Sequence, residues 1–143
     1  MIHEIQELIR MLSTAPLGAD EVARRIGSVI EDNGPTGGLR IRPSNQRLGA
    51  AIVFRDAATG APTLVRLEPA VDQHLTVAAL RDAFGPYQNL GASRFEEPAE
   101  LLFRAEPRST PYTAVVIARL DQPGVDPAIA GVASVTLRRD PRL

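Results

Sequence analysis

Residues 75–86 read LTVAALRDAFGP, and the rest of the chain is organised around them. Thr76 offers the hydroxyl of a helix N-cap, which accepts a hydrogen bond from a free amide of the first turn. Val77, Leu80 and Phe84 follow at steps of three and four on one helix face, while Arg81 and Asp82 fall off that stripe. Gly85 accommodates the left-handed backbone that ends helices, and Pro86 cannot continue one. Upstream, residues 17–28 read LGADEVARRIGS, and Leu17, Val22, Ile26 and Gly27 match Leu75, Leu80, Phe84 and Gly85 at a constant offset of 58 residues. A second echo pairs Ala51–Arg55 (AIVFR) with Glu100–Arg104 (ELLFR). Repeats are sought first because they set the architecture. The chain therefore reads as two rounds of one plan, a helix followed by antiparallel strands, against the alternative of two ordinary helices with a common apolar pattern.

Outward from these helices the periodicities give the remaining elements. Ile5, Leu8, Ile9 and Leu12 make a helical stripe over Ile2–Leu12. Asp20 is the expected cap of a second helix running to about Glu31, with Val22, Ile26, Val29 and Ile30 facing in. Leu39–Pro43 (LRIRP) alternates in the period of two that marks a half-buried strand. Leu48–Arg55, with Leu48, Ala50, Ile52 and Phe54 on one side, and Thr63–Glu68 follow as strands, and Pro69–His74 is the expected boundary between the rounds. Beyond the Leu75–Phe84 helix, Pro86–Ser93 reads as loop, Ser93–Glu97 as a short edge strand and Ala99–Glu106 as a strand. Tyr112–Leu120 (YTAVVIARL) is expected to be a central strand buried on much of both faces, and Val132–Arg138 to close the sheet. The fold class is α+β, an antiparallel sheet with helices on one face. It forms one domain of two sub-units, 1–70 and 71–143.

Composition bounds the function. The chain has 143 residues, 44% hydrophobic and 23% charged, ordinary for a globular domain. Aromatics are 4% with no Trp, which leaves little for base-stacking platforms. Net charge is −1, so no global field attracts nucleic acid or an acidic membrane. All 16 basic residues are arginine, and with the heavy use of Ala, Gly and Pro this points to a GC-rich bacterial genome. Arginine favours forked pairing with carboxylates. The absence of cysteine excludes disulfides, thiolate metal sites and Cys nucleophiles. The start, MIHEIQELIRML, has Glu4 and Glu7 where a secretory leader would be basic and then apolar, so the expected location is cytoplasmic.

A helix ending in Gly85–Pro86 and followed by a meander of strands through Arg138, with a fainter copy over Gly18–Glu68, resembles a known plan. It is similar to the small lipoproteins of the outer-membrane β-barrel assembly machinery and, in duplicated form, to the β-lactamase inhibitor proteins. The chain departs from both in lacking a signal peptide, a lipidation cysteine and the inhibitors' disulfides. The resemblance therefore implies only a sheet face for binding other proteins, and neither secretion nor β-lactamase binding.

No catalytic set, metal site or cofactor is expected. His3 and His74 stand alone, near the N-terminus and in a linker. No Gly-x-Ser-x-Gly occurs, and Ser44, Ser109 and Thr110 read as turn residues. Gly34–Gly38 (GPTGG) follows a helix and lacks the Lys–Ser/Thr of a phosphate loop. Glu96, Glu97, Glu100 and Glu106 cluster as acid–base candidates, or as charges guarding a sheet edge. Arg40, Arg42 and Arg47 form one basic group, and Arg138, Arg139 and Arg142 another. Arg40 and Arg42 share a strand face about 6.6 Å apart. Together they suit gripping a phosphate or an acidic partner, or simply face solvent with local ion pairs.

The expected function is a non-enzymatic protein-binding module: a bacterial cytoplasmic immunity or inhibitor protein, or a secretion adaptor, paired with a toxin, effector or secreted protein. The expected partner-binding residues are Arg40, Arg42, Arg47, Glu96, Glu97 and Glu100, two clusters of opposite charge suited to steering association. The alternative is a small-ligand protein or enzyme with a pocket lined by Phe54, Phe103 and Tyr112, with Glu100 or His74 as its polar group. A homodimer is a third option, resting on the exposed edges that such sheets leave.

Overall fold

The computed structural model describes residues 1–14, 17–92, 94, 96–105 and 112–141. Its elements are α1 (Ile2–Thr14), α2 (Ala19–Ile26), β1 (Gly27–Asp32), a one-turn α3 (Gly34–Gly37), β2 (Leu39–Pro43), β3 (Leu48–Arg55) and β4 (Pro62–Pro69), then α4 (Val77–Phe84), β5 (Tyr87–Gly91), β6 (Glu100–Ala105), β7 (Tyr112–Leu120) and β8 (Val132–Pro141). The eight strands form one sheet in the order β1-β2-β3-β4-β8-β7-β6-β5. Every pairing is antiparallel. The fold is α+β.

The order is a palindrome. Helix α2 with β1 to β4 is one helix-plus-meander, helix α4 with β5 to β8 is another, and their last strands, β4 and β8, join them. The two helices have eight residues each and begin and end at the same offset of 58 positions, Ala19–Ile26 against Val77–Phe84. Val22 and its counterpart Leu80 are both fully buried. The strand echo is different. Ala51–Arg55 lies in β3, the third strand of its meander, and Glu100–Arg104 in β6, the second of its own. That likeness therefore joins two non-equivalent places and carries no part of the repeat.

Alternation sorts the strand residues onto two faces. On the helix side, directly paired residues form a row from Leu39 through Val53, Val65, Leu137, Val116 and Phe103 to Tyr87. A second row runs from Ile41 through Ala51, Leu67, Val135 and Ala118 to Leu101. These residues pack with Ile5, Leu8, Ile9 and Leu12 of α1, Val22 and Ile26 of α2, and Val77 and Leu80 of α4 in one continuous core. Each Val, Leu, Ile or Phe among them contributes roughly 1.5–3 kcal/mol when fully buried. Helix α1 belongs to neither round and lies against β7, β8 and α4.

Several local expectations are corrected. Helix α2 stops at Ile26, and residues 27–31, expected to continue it, lie in edge strand β1, where Val29 and Ile30 are exposed. Gly27 explains the break: its backbone lies so close to β2 that a Cβ would run into the Arg42 carbonyl. Gly18, and not Asp20, is the N-cap of α2. The segment after α4 is edge strand β5, not loop. Ser93 and Phe95 of the expected edge strand lie outside the described residues, and Glu97 donates its amide to Arg94 in a turn. Strand β8 does not close the sheet at its rim but lies at its centre. Thr76 caps α4 as expected, its hydroxyl accepting the Ala79 amide at 3.2 Å.

Candidate protein-binding face

All the core-forming helices pack on one side of the sheet, and the residues that alternate away from them lie on the other, open side. One row there runs Glu31, Arg40, Ile52, Arg66, Thr136, Ile117, Leu102 and Gln88, each directly opposite the next. A second runs Phe54, Leu64, Arg138, Val115 and Arg104. Ile52, Phe54, Leu64, Ile117 and Leu102 are half-buried and stand outside the core cluster. Val115 is buried yet also outside that cluster. Arginine stems between such residues cover apolar surface while their charged ends stay in water.

The expected charge clusters are distributed differently. Arg40 and Arg42 do share the open face, and Arg40 pairs with Glu31 at 2.8 Å. Arg47 leaves them: it lies in the β2–β3 turn, with its guanidinium 3.6 Å from Glu4 of α1 on the helix side. Glu100 is on the open face opposite Arg119. Glu96 and Glu97 lie in the loop before β6. Since β2 and β6 are five strand spacings apart, Arg40 and Glu100 are separated by about 24 Å. Arg40 and Arg42 thus lie at the opposite end of one surface from Glu100, and Arg47 is not on it. Glu106 and Arg142 of the wider groups lie outside the described residues.

The arginines at 66, 104 and 119 and the apolar residues between them were missed. Their signal was present: strands β3, β4, β6 and β7 carry apolar residues on both phases of the alternation, which a sheet covered on one side does not require.

The expected pocket does not assemble. Phe54 is on the open face and Phe103 on the covered one, where its ring meets Tyr87 at 5.7 Å. His74 is exposed. The Tyr112 side chain lies outside the described residues. A groove of about 370 Å³ lies elsewhere, between α1 and the β2–β3 turn, lined by His3, Glu4, Glu7, Met11, Arg25 and Asn45 among others. Glu4 is its most constrained group. Burial raises its pKa, but the Met1 ammonium at 2.9 Å, the Glu4 backbone amide and Asn45 Nδ2 bind the charged form and hold the carboxyl at about 2. Asp32 is also lowered, by the Gly34 amide and then by Arg55, whose guanidinium lies 2.8 Å away. Among the described residues no group of three His, Asp or Glu could hold a metal, and no helix is long and apolar enough to cross a membrane.

Comparisons with family models, with curated proteins and with solved structures returned no match.

Proposed function

We propose that the chain is a protein-binding module that docks a partner protein against the open face of its sheet. The observation that carries this is the half-buried apolar band of Ile52, Phe54, Leu64, Ile117 and Leu102 on a face that no core helix covers. Contiguous apolar surface rimmed by polar groups marks interaction sites, and Arg is enriched where protein partners meet. The plan resembling the β-lactamase inhibitor proteins supports the same class of job, and a bacterial cytoplasmic inhibitor, immunity or adaptor protein fits it. The test is affinity capture from the source cell, with the partner identified by mass and its footprint mapped by hydrogen exchange. Protection on β3, β4, β7 and β6, and loss of capture in Ile117→Glu, support docking on this face. A footprint confined to the helices overturns it.

The groove beside α1 supports a second reading, a small-molecule binder. In a thermal-shift screen a ligand at 100 times its Kd stabilises by about 2.7 kcal/mol, and Glu7→Ala abolishes that shift if the groove is the site.

A further inference from the structure

The open face is charged as well as apolar, and its charge says what kind of protein it takes; this inference rests on the docking reading above. Among the described residues six arginines alternate onto it, Arg40, Arg42, Arg66, Arg104, Arg119 and Arg138, against four acids, Glu31, Glu68, Glu100 and Asp140. The chain as a whole carries −1, so the arginine surplus is local and the compensating acids lie elsewhere, chiefly in loops at Asp56, Asp72, Glu96, Glu97, Asp121 and Asp126. Arg40 pairs with Glu31 at 2.8 Å and Arg66 approaches Glu68 at 3.9 Å. Arg42, Arg104 and Arg119 are exposed and make no ion pair with a described residue.

The apolar band runs between these cations. From Ile52 on β3 to Leu102 on β6 it crosses four strand spacings, about 19 Å. A helix of about 12 residues has that length. We propose that the occupant of this face is an acidic amphipathic segment of another protein. Its apolar side lies on Ile52, Ile117 and Leu102, and its flanking carboxylates pair with Arg42 at one end and with Arg104 and Arg119 at the other. Carboxylates match the planar guanidinium fork. A second copy of the chain fits poorly, because face-to-face packing opposes two arginine surpluses. Nucleic acid would satisfy the arginines but leave the band without stacking partners, since Phe54 is its sole aromatic among the described side chains.

The test is a methyl and amide NMR titration of the full chain with four probes: a Leu/Glu amphipathic peptide of about 16 residues, its Leu/Lys counterpart, a scrambled Leu/Glu peptide, and a single-stranded oligonucleotide. Sedimentation of the free protein is measured alongside. The Leu/Glu peptide is expected to move the Ile52, Ile117 and Leu102 methyl signals and to bind at least about tenfold more tightly than the other peptides. Its affinity should fall as salt rises from about 0.05 to 0.5 M, and fall about tenfold in Arg104→Glu/Arg119→Glu and, separately, in Arg42→Glu. Unchanged methyl spectra of the free variants establish that they are folded. If the Lys or scrambled peptide moves the same signals as tightly, the acidic partner is wrong and docking on this face survives. Tighter binding of the oligonucleotide overturns the proposal in favour of nucleic acid. Dimers that the reversals disperse overturn it in favour of self-association. Shifts confined to the α1 groove, or no shifts with any probe, overturn both this inference and the docking reading.

Discussion

The amide of Ala19 donates to the carbonyl of Gly60 at 2.9 Å. Ala19 is the first residue of α2, and Gly60 lies two residues before β4. The other round repeats this: the first residue of α4, Val77, donates to Ala130, two residues before β8, at 3.1 Å. In each round one hydrogen bond ties the helix start to the turn that launches the last strand, which is the strand that forms the seam. The likeness of the two rounds thus extends to individual backbone bonds, although few residues of their sequences match.

The two glycines that end the helices differ in cause, and their alanine variants should separate. Gly27 is extended, and a Cβ there would meet the Arg42 carbonyl across the β1–β2 pairing. Gly85 has a φ of 88° with open space around it. Gly27→Ala is expected to cost at least about 2 kcal/mol, because backbone must move. Gly85→Ala should cost about 1 kcal/mol from the left-handed conformation alone. Urea midpoints of the two variants check the order; equal losses contradict it.

The helix starts also differ. Thr76→Ala removes the bond from the Ala79 amide and should cost about 1 kcal/mol. Gly18 caps α2 with no side-chain bond and a β-region backbone. Gly18→Ser is therefore expected to stabilise by a few tenths of a kcal/mol, roughly the advantage of Ser over Gly at this position. Thermal unfolding of both variants reads the opposite signs directly.

Acid should act on Glu4. Its folded-state carboxyl titrates near 2, below the ordinary 4.5. A depressed carboxylate adds stability that is complete above about pH 4.5 and is lost as pH falls towards 2. The wild type should accordingly lose stability through that window, and Glu4→Gln should flatten this part of the profile while costing on the order of 1–2 kcal/mol at neutral pH. Parallel denaturation curves of the two proteins from pH 2 to pH 5, with no flattening in the variant, would exclude the assignment.

The two faces should tolerate change differently. Leu137→Ala lies in the covered row and is expected to cost about 2–5 kcal/mol. Ile117→Thr, on the open face, should cost about 1 kcal/mol or less, because the site is half-exposed and suits a β-branched residue. Comparable losses at the two positions would place Ile117 in a packed interface within the monomer.

Much of this was legible in the residues. The capping hydroxyl of Thr76, the α4 stripe and the Arg40–Ile41–Arg42 alternation each announce their own geometry, because local spacing fixes them. Val29 and Ile30 continue a helical spacing, and what excludes the helix is a backbone approach at Gly27 that only the fold creates. Simple alternation puts Leu48 on the same face as Ile52. The register shift between Leu48 and Ala50 turns it to the helix side instead. The arginines of the open face come from β2, β4, β6, β7 and β8, so their proximity is a property of strand order. No local window contains that order.

The strand order also governs how the chain reaches its final state. Strand β8 follows every other element in the sequence, yet it is the partner that β4 requires, with Leu64 opposite Arg138. A chain emerging from the ribosome can assemble α2 and its meander early, but β4 then presents an unsatisfied ladder until β8 has been made. Pairing so distant in sequence slows folding, and an uncovered strand invites intermolecular association. The interval between the making of β4 and the making of β8 is when this open ladder is most exposed to other chains.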